Sequence, residues 1–147
     1  MKIFLDTSSL VKLYHRETGT DELEQMFSKL NITPTFLSEI PKAEFTSTIW
    51  KKVRTKEITE SQAQITLKLF ETDFPKFIFR VTDSLIIEQA RILISKYGRQ
   101  GLRTLDSIQL STSISLSKTA DLFLTGDNLL KSFFKAEDLQ TEISVSF

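Results

Sequence analysis

Four acidic side chains, Asp6, Glu44, Asp106 and Asp127, occur in surroundings unlike those of ordinary surface charge. Asp6 follows the apolar run Ile3-Phe4-Leu5 and precedes Thr7, Ser8 and Ser9, while Asp127 follows Leu122-Phe123-Leu124-Thr125-Gly126. Acids at the carboxyl ends of two apolar strands point into the crevice where open parallel sheets bind ligands. Carboxylates gathered there repel one another, so the site must hold protons at raised pKa or take up a neutralising cation. Oxygen-only ligands suit Mg²⁺ or Mn²⁺. Such an ion polarises a phosphodiester, lowers the pKa of a bound water and shields developing negative charge. The implied chemistry is metal-dependent phosphoryl hydrolysis. Taken singly, each acid reads as a helix cap or a solvated turn residue.

The scaffold must bring acids separated by more than a hundred positions to one place. A chain of 147 residues fits one domain, 1–147, and its 40% hydrophobic content with 12 Phe provides a core. Nineteen basic and nineteen acidic residues leave no net field to attract a polyanion, so any nucleic acid must meet a local patch or a bound cation. The chain has no Cys, which excludes disulfides and thiolate ligation, and its one His leaves little scope for imidazole chemistry. The opening apolar stretch is too short for a signal peptide and no run approaches a membrane span, so a cytoplasmic protein is expected.

Apolar strands alternating with helical patterns predict an α/β fold with a mostly parallel sheet. Strands are expected at 3–5, 32–37, 77–81 and 122–124, with an alternating edge strand through Ile143, Val145 and Phe147. Ser8 or Ser9 can cap a first helix to about 16, and Gly19 breaks it before a helix at 21–30. Ser38 caps a helix over 40–54 with Pro41 in its first turn. Thr59 opens another to about 72. Thr82 or Asp83 starts one whose Ile86, Ala90, Leu93 and Tyr97 share a face, ended by Gly98 and Gly101. Thr104 caps a helix at 105–116, and a last helix spans 128–134. The stretch 111–117, rich in Ser, fits strand alternation as well as helix; helix is preferred because Leu105, Ile108 or Gln109, Thr112 and Leu116 line one side and the small residues permit close packing.

These elements place supporting groups beside the acids. Asp106 falls in a first helical turn, where N–H groups favour negative charge. Glu44 has Ser47 and Thr48 as its i+3 and i+4 neighbours. Ser8 and Thr125 are placed to donate to Asp6 and Asp127. Lys51, Lys52, Arg54 and Lys56 form a basic cluster that reads first as a solvated helix end, where cations are favoured, and second as a contact for nucleic-acid phosphates. Arg99 and Arg103, just before Asp106, are further candidates for substrate contact.

Four segments, Asp6 to Tyr14 followed by Glu17 and Gly19, Ser38 to Ile40 with Glu44, Leu102 to Leu110, and Asp121 to Asp127, resemble the PIN-domain family in order and wording. The similarity is greatest to the VapC-type toxin ribonucleases and runs to about Leu130. It implies a three-layer α/β/α fold with sheet order 3-2-1-4-5. Asp6, Glu44, Asp106 and Asp127 would take the family's four acidic positions as catalytic residues and Mg²⁺ or Mn²⁺ ligands, with Ser8 and Thr125 supporting them. The resemblance further implies endoribonuclease activity leaving 5′-phosphate and 3′-hydroxyl ends, a cognate antitoxin, and a homodimer. Ser111-Thr112-Ser113 departs from the Ala-rich wording usual after the Gln109 position.

Two other readings compete. A phosphatase with Asp6 as a phosphorylated nucleophile wants a second Asp two positions on, where this chain has Ser8. A catalytically silent PIN-like module binding RNA or protein needs no complete acidic set, yet all four acids are present.

Overall fold

β1 (Ile3–Leu5) is apolar at every position because it lies at the centre of a parallel sheet covered on both faces. In the computed structural model, which describes residues 1–29 and 33–142, β1 pairs with β2 (Thr35–Ser38) on one side and β4 (Leu122–Leu124) on the other. β3 (Phe77–Arg80) pairs with β2, giving the order β3-β2-β1-β4.

Register sets the two cores. Phe4 stands opposite Phe36 and Phe123, and these three rings face α5 (Ser84–Tyr97), α6 (Thr104–Ser115) and α7 (Asn128–Ala136) through Leu93, Leu110 and Phe134. Their neighbours Ile3, Leu5, Leu37 and Leu122 point the opposite way. There they meet α1 (Thr7–Tyr14), α2 (Thr20–Lys29), α3 (Pro41–Arg54) and α4 (Glu60–Asp73) through Leu10, Leu23, Phe45, Ile49 and Phe70. The result is the expected three-layer α/β/α arrangement, and it leaves the residues after β1 and β4 together at the sheet's carboxyl edge.

The sheet differs from expectation in having four strands among the described residues, in order 3-2-1-4 and not 3-2-1-4-5. Beyond α7 the chain turns at Asp138 (φ 61°) and meets β4 through the Phe123 N–H, which donates to the Gln140 carbonyl at 2.8 Å. Ile143, Val145 and Phe147, assigned to a fifth strand, lie outside the described residues. β2 begins only after Pro34, which has no N–H to offer a ladder; the predicted start, Ile32, is also outside the described residues.

Three caps differ from those expected. α1 is capped by Asp6, whose carboxylate accepts from the Ser9 amide, so Ser8 and Ser9 lie inside the helix. Thr104 is the first residue of α6 and Arg103 precedes it without a side-chain cap. Ser38 ends β2 and accepts from the Ile40 amide at 3.2 Å, one turn before α3. Thr59 and Asp83 cap α4 and α5 as their residue types predict.

The Ser-rich stretch is helical as far as Ser115, where α6 ends and Leu116 begins a turn. Its buried hydroxyls find acceptors, Thr112 on the Ile108 carbonyl at 2.7 Å, Ser113 on Gln109 at 2.9 Å and Ser111 on Ile86 of α5 at 2.8 Å. Local back-bonding and one bond between helices therefore satisfy the buried hydroxyls that Ser and Thr bring in place of Ala.

Candidate active site

Asp6 leaves the end of β1 and turns the chain into α1. Its backbone N–H donates to the Leu124 carbonyl at 3.1 Å, extending the β1–β4 ladder one residue past the strand. Its carboxylate accepts from the Ser9 amide at 2.9 Å, the Ser8 hydroxyl at 2.8 and 2.9 Å, and the Thr125 hydroxyl at 2.5 Å. The residue is 4% exposed, and burial pushes its pKa up to about 6 although Thr125, the Ser9 amide and Ser8 all favour the charged form. Ser8 and Thr125 thus both support Asp6. Thr125 reaches Asp127 by accepting from its backbone N–H at 3.0 Å, and not through its carboxylate.

Glu44 occupies the first turn of α3. Its Oε1 accepts from the Thr7 hydroxyl at 2.8 Å and from Gln109 Nε2 at 3.3 Å, and the same Gln109 nitrogen donates to Thr7 at 3.0 Å. This triangle ties α1, α3 and α6 together beneath one carboxylate.

Asp106, in the first turn of α6, is half-buried, and no hydrogen bond holds its carboxylate among the described residues. Burial raises its pKa first, the charges of Asp127 and Glu44 raise it further, and Arg103 opposes them. Asp127 caps α7 through the Leu130 amide at 3.0 Å and is exposed.

All four acids line one cavity of about 300 Å³ at the carboxyl edge of the sheet, with Thr7, Ser8, Thr48, Gln109, Glu17 and Lys52. Of the predicted phosphate contacts, Lys52 lines it, Arg103 acts electrostatically on Asp106 from an exposed position, and Lys51 and Arg54 are exposed outside it.

The donor set is anionic and all oxygen, which matches a hard divalent ion. Repulsion among Asp106, Asp127 and Glu44 is what such a charge relieves. Among the described residues, no three His, Cys, Asp or Glu side chains stand close enough to share one ion. Shared ligation therefore requires side-chain movement, open to the exposed Asp127 and half-buried Asp106 and closed to the pinned Asp6.

By sequence, no family model and no curated protein matches the chain. By structure it is similar to FitAcB from Neisseria gonorrhoeae, with TM-score 0.71 and 16% identity over 95% of both chains. VapBC2 from Rickettsia felis, bound to a DNA fragment from its promoter, aligns with TM-score 0.62 and 20% identity over 97% of this chain and 98% of that one. Mycobacterium tuberculosis VapC20, a sarcin-ricin loop cleaving toxin, aligns with TM-score 0.66 and 14% identity over 88% and 93%. The chain has the PIN-domain fold. At these identities the likeness is one of fold.

Within this PIN-domain scaffold, sequence reading missed Thr7, Gln109, Glu17 and the specific place of Lys52. Gln109 stands 102 residues from Thr7 and 65 from Glu44, so no local pattern couples them. A polar Gln amid the apolar positions of α6 was the available signal, since a buried amide needs partners.

Proposed function

We propose that this chain is a metal-dependent endoribonuclease and the toxin of a toxin–antitoxin pair. The observation that carries the reading is the arrival of Asp6, Glu44, Asp106 and Asp127, from four separate elements, on one cavity at the carboxyl edge of the sheet. Asp6, Asp106 and Asp127 are the residues to hold Mg²⁺ or Mn²⁺, with Glu44 beside them. When bound, the ion supplies charge neutralisation and Lewis-acid polarisation of the phosphodiester.

The chain's own groups do the positioning. Ser8, Ser9 and Thr125 fix the Asp6 carboxylate in one orientation, and Thr7 with Gln109 fixes Glu44. Glu44 can then orient a water and accept its proton as the water oxygen bonds to phosphorus. The bond from phosphorus to the 3′ oxygen breaks and that oxygen takes up a proton from solvent, leaving a 5′-phosphate and a 3′-hydroxyl. Lys52 and Arg103, with Lys51 and Arg54 further out, supply cations for the RNA backbone.

The fold neighbours support the partner assignment: one is named a toxin–antitoxin complex from Klebsiella pneumoniae and another VapBC-1 from Haemophilus influenzae. RNA as substrate draws support from VapC20, named for cleaving the sarcin-ricin loop. A homodimer and action in the cytoplasm belong to the same reading; no described helix is long and apolar enough to cross a membrane.

A silent RNA- or protein-binding module is the second reading. It is favoured by the Asp6 carboxylate, whose two oxygens are already engaged by protein donors. Incubating a structured RNA pool with wild type and Asp6→Asn in Mg²⁺, Mn²⁺ or EDTA, and reading the ends produced, separates the two. Metal-dependent 5′-phosphate ends absent from the variant support the nuclease. RNA binding with no cutting under any metal supports the module.

A further inference from the structure

One cationic side chain, Lys52, lines the acidic cavity, and its position is not that of a free surface lysine. Its side chain is 15% exposed and its ammonium lies 3.7 Å from Glu17 and 3.3 Å from Glu57. Glu17 also lies 3.5 Å from Lys12, whose side chain is 18% exposed, so this carboxylate stands between two ammonium groups at the rim.

The loop carrying Glu17 is built to hold it there. The Glu17 amide donates to the Thr20 hydroxyl at 3.0 Å, the Thr20 amide donates to the Glu17 carbonyl at 3.1 Å, and the buried Thr20 hydroxyl donates to the Lys12 carbonyl at 3.0 Å. Lys12 closes the loop from below by donating to the Thr18 carbonyl at 2.6 Å. It lies in a slot shaped by two glycines. A Cβ at Gly126 would come within 2.8 Å of Lys12 Cε, and one at Gly19, where φ is +95°, within 3.4 Å of the Lys12 chain. Gly126 also donates its N–H to the Ser8 hydroxyl at 2.9 Å, so the slot adjoins the groups that fix Asp6.

We propose that Glu17 is a positioning residue for the RNA backbone: anchored by Lys12, it holds Lys52 at the cavity mouth, where the ammonium receives a substrate phosphate. This rests on the ribonuclease reading and adds to it which cation meets the strand and what keeps that cation in place. The need is physical. Asp6, Glu44, Asp106 and Asp127 at the cavity repel a polyanion, and a flexible lysine in solvent would give up side-chain freedom on each encounter. A Lys52 already ordered between two carboxylates has less to lose, and its three donors allow it to keep Glu17 while bonding a phosphate oxygen.

The test uses the full chain in an Asp106→Asn background, so that RNA is bound and not cut. The probe is a fluorescein-labelled single-stranded RNA, with affinity followed by anisotropy from 50 to 300 mM KCl. Lys52→Gln is expected to weaken binding about five- to tenfold and to flatten the slope of log affinity against log salt by about 0.7, the signature of one lost phosphate contact. Glu17→Gln is expected to weaken binding by a smaller factor, and to have no further effect once Lys52 is Gln, because it acts through that side chain. Lys52→Arg, which keeps the charge, restores most of the loss. Melting curves for every variant report folding separately. Independent, additive effects of Glu17→Gln and Lys52→Gln, or an unchanged salt slope in Lys52→Gln, overturn the proposal. Absence of cleavage by the wild type with metal overturns the ribonuclease reading and leaves this binding result standing by itself.

Discussion

The Thr125 hydroxyl donates to Asp6 Oδ2 at 2.5 Å, joining the ends of β1 and β4 across 119 residues. The bond favours the charged form of a carboxylate that burial pushes up to about 6. Thr125→Val keeps the shape and removes the donor, so the Asp6 pKa should rise further. Carboxyl ¹³C shifts titrated in metal-free protein check this: the wild-type midpoint is expected near 6 and the variant's higher. Equal midpoints would show that the hydroxyl contributes nothing.

Asp6 also costs the metal-free fold stability. Its folded pKa of about 6 lies above the ordinary 3.8, so its stabilising contribution is intact below pH 3.8 and is lost as pH rises through 6. Asp6→Asn removes that dependence while keeping an acceptor for the Ser9 amide. It should stabilise the fold in EDTA at pH 7.5, on the order of 1–2 kcal/mol, and give no such gain at pH 4. Urea denaturation at the two pH values decides it; the same difference at both would contradict the assignment.

Glu44 depends on two neighbours that touch no substrate in this account. Thr7→Val removes the 2.8 Å donor and Gln109→Leu the 3.3 Å donor. Each should lower kcat about 10- to 100-fold, the range typical of groups that orient a ligating or basic residue, with smaller changes in KM. Steady-state cleavage with circular dichroism on the same samples checks this, and unchanged kcat in both variants would remove Glu44's orientation from the mechanism.

On the opposite edge of the sheet, the Tyr14 hydroxyl donates to Asp73 at 2.6 Å. The bond holds the Asp73 carboxyl below its ordinary value, while burial, and then Asp73, raise the Tyr14 phenol. Tyr14→Phe should cost about 1–2 kcal/mol at pH 7. The Asp73 part is present above pH 3.8 and is lost as pH falls, so the cost should shrink at pH 3. Burial also raises the Tyr97 phenol, so ultraviolet titration should find both tyrosines ionising at higher pH than free tyrosine.

The strand cores and helix faces were legible because each carries its own period. Ile3-Phe4-Leu5 is apolar throughout because both faces are covered, and Ile86, Ala90, Leu93 and Tyr97 repeat along one side of α5. The acids were legible through their places at strand ends and first turns. The α1 cap was misassigned because a carboxylate beside a hydroxyl competes for the same amide: Asp6, and not Ser8 or Ser9, takes the Ser9 N–H. The links that orient the acids, Thr7 to Glu44, Gln109 to Thr7 and Glu17 to Lys52, run between elements and leave no periodic trace. The described residues hold a four-stranded sheet, and the alternating Ile143, Val145 and Phe147 assigned to a fifth strand lie outside them.

The most direct test of the central claim is RNA cleavage by wild type and Asp106→Asn in Mn²⁺, followed in single-turnover conditions beside an EDTA control. Asp106 is suited to it because its carboxylate caps no helix and holds no hydrogen bond among the described residues, so its removal leaves the scaffold intact. Metal-dependent cutting by the wild type is expected, with a loss of at least ~100-fold in a variant of unchanged melting temperature. Equal rates in the two proteins, or cutting undiminished by EDTA, would contradict it.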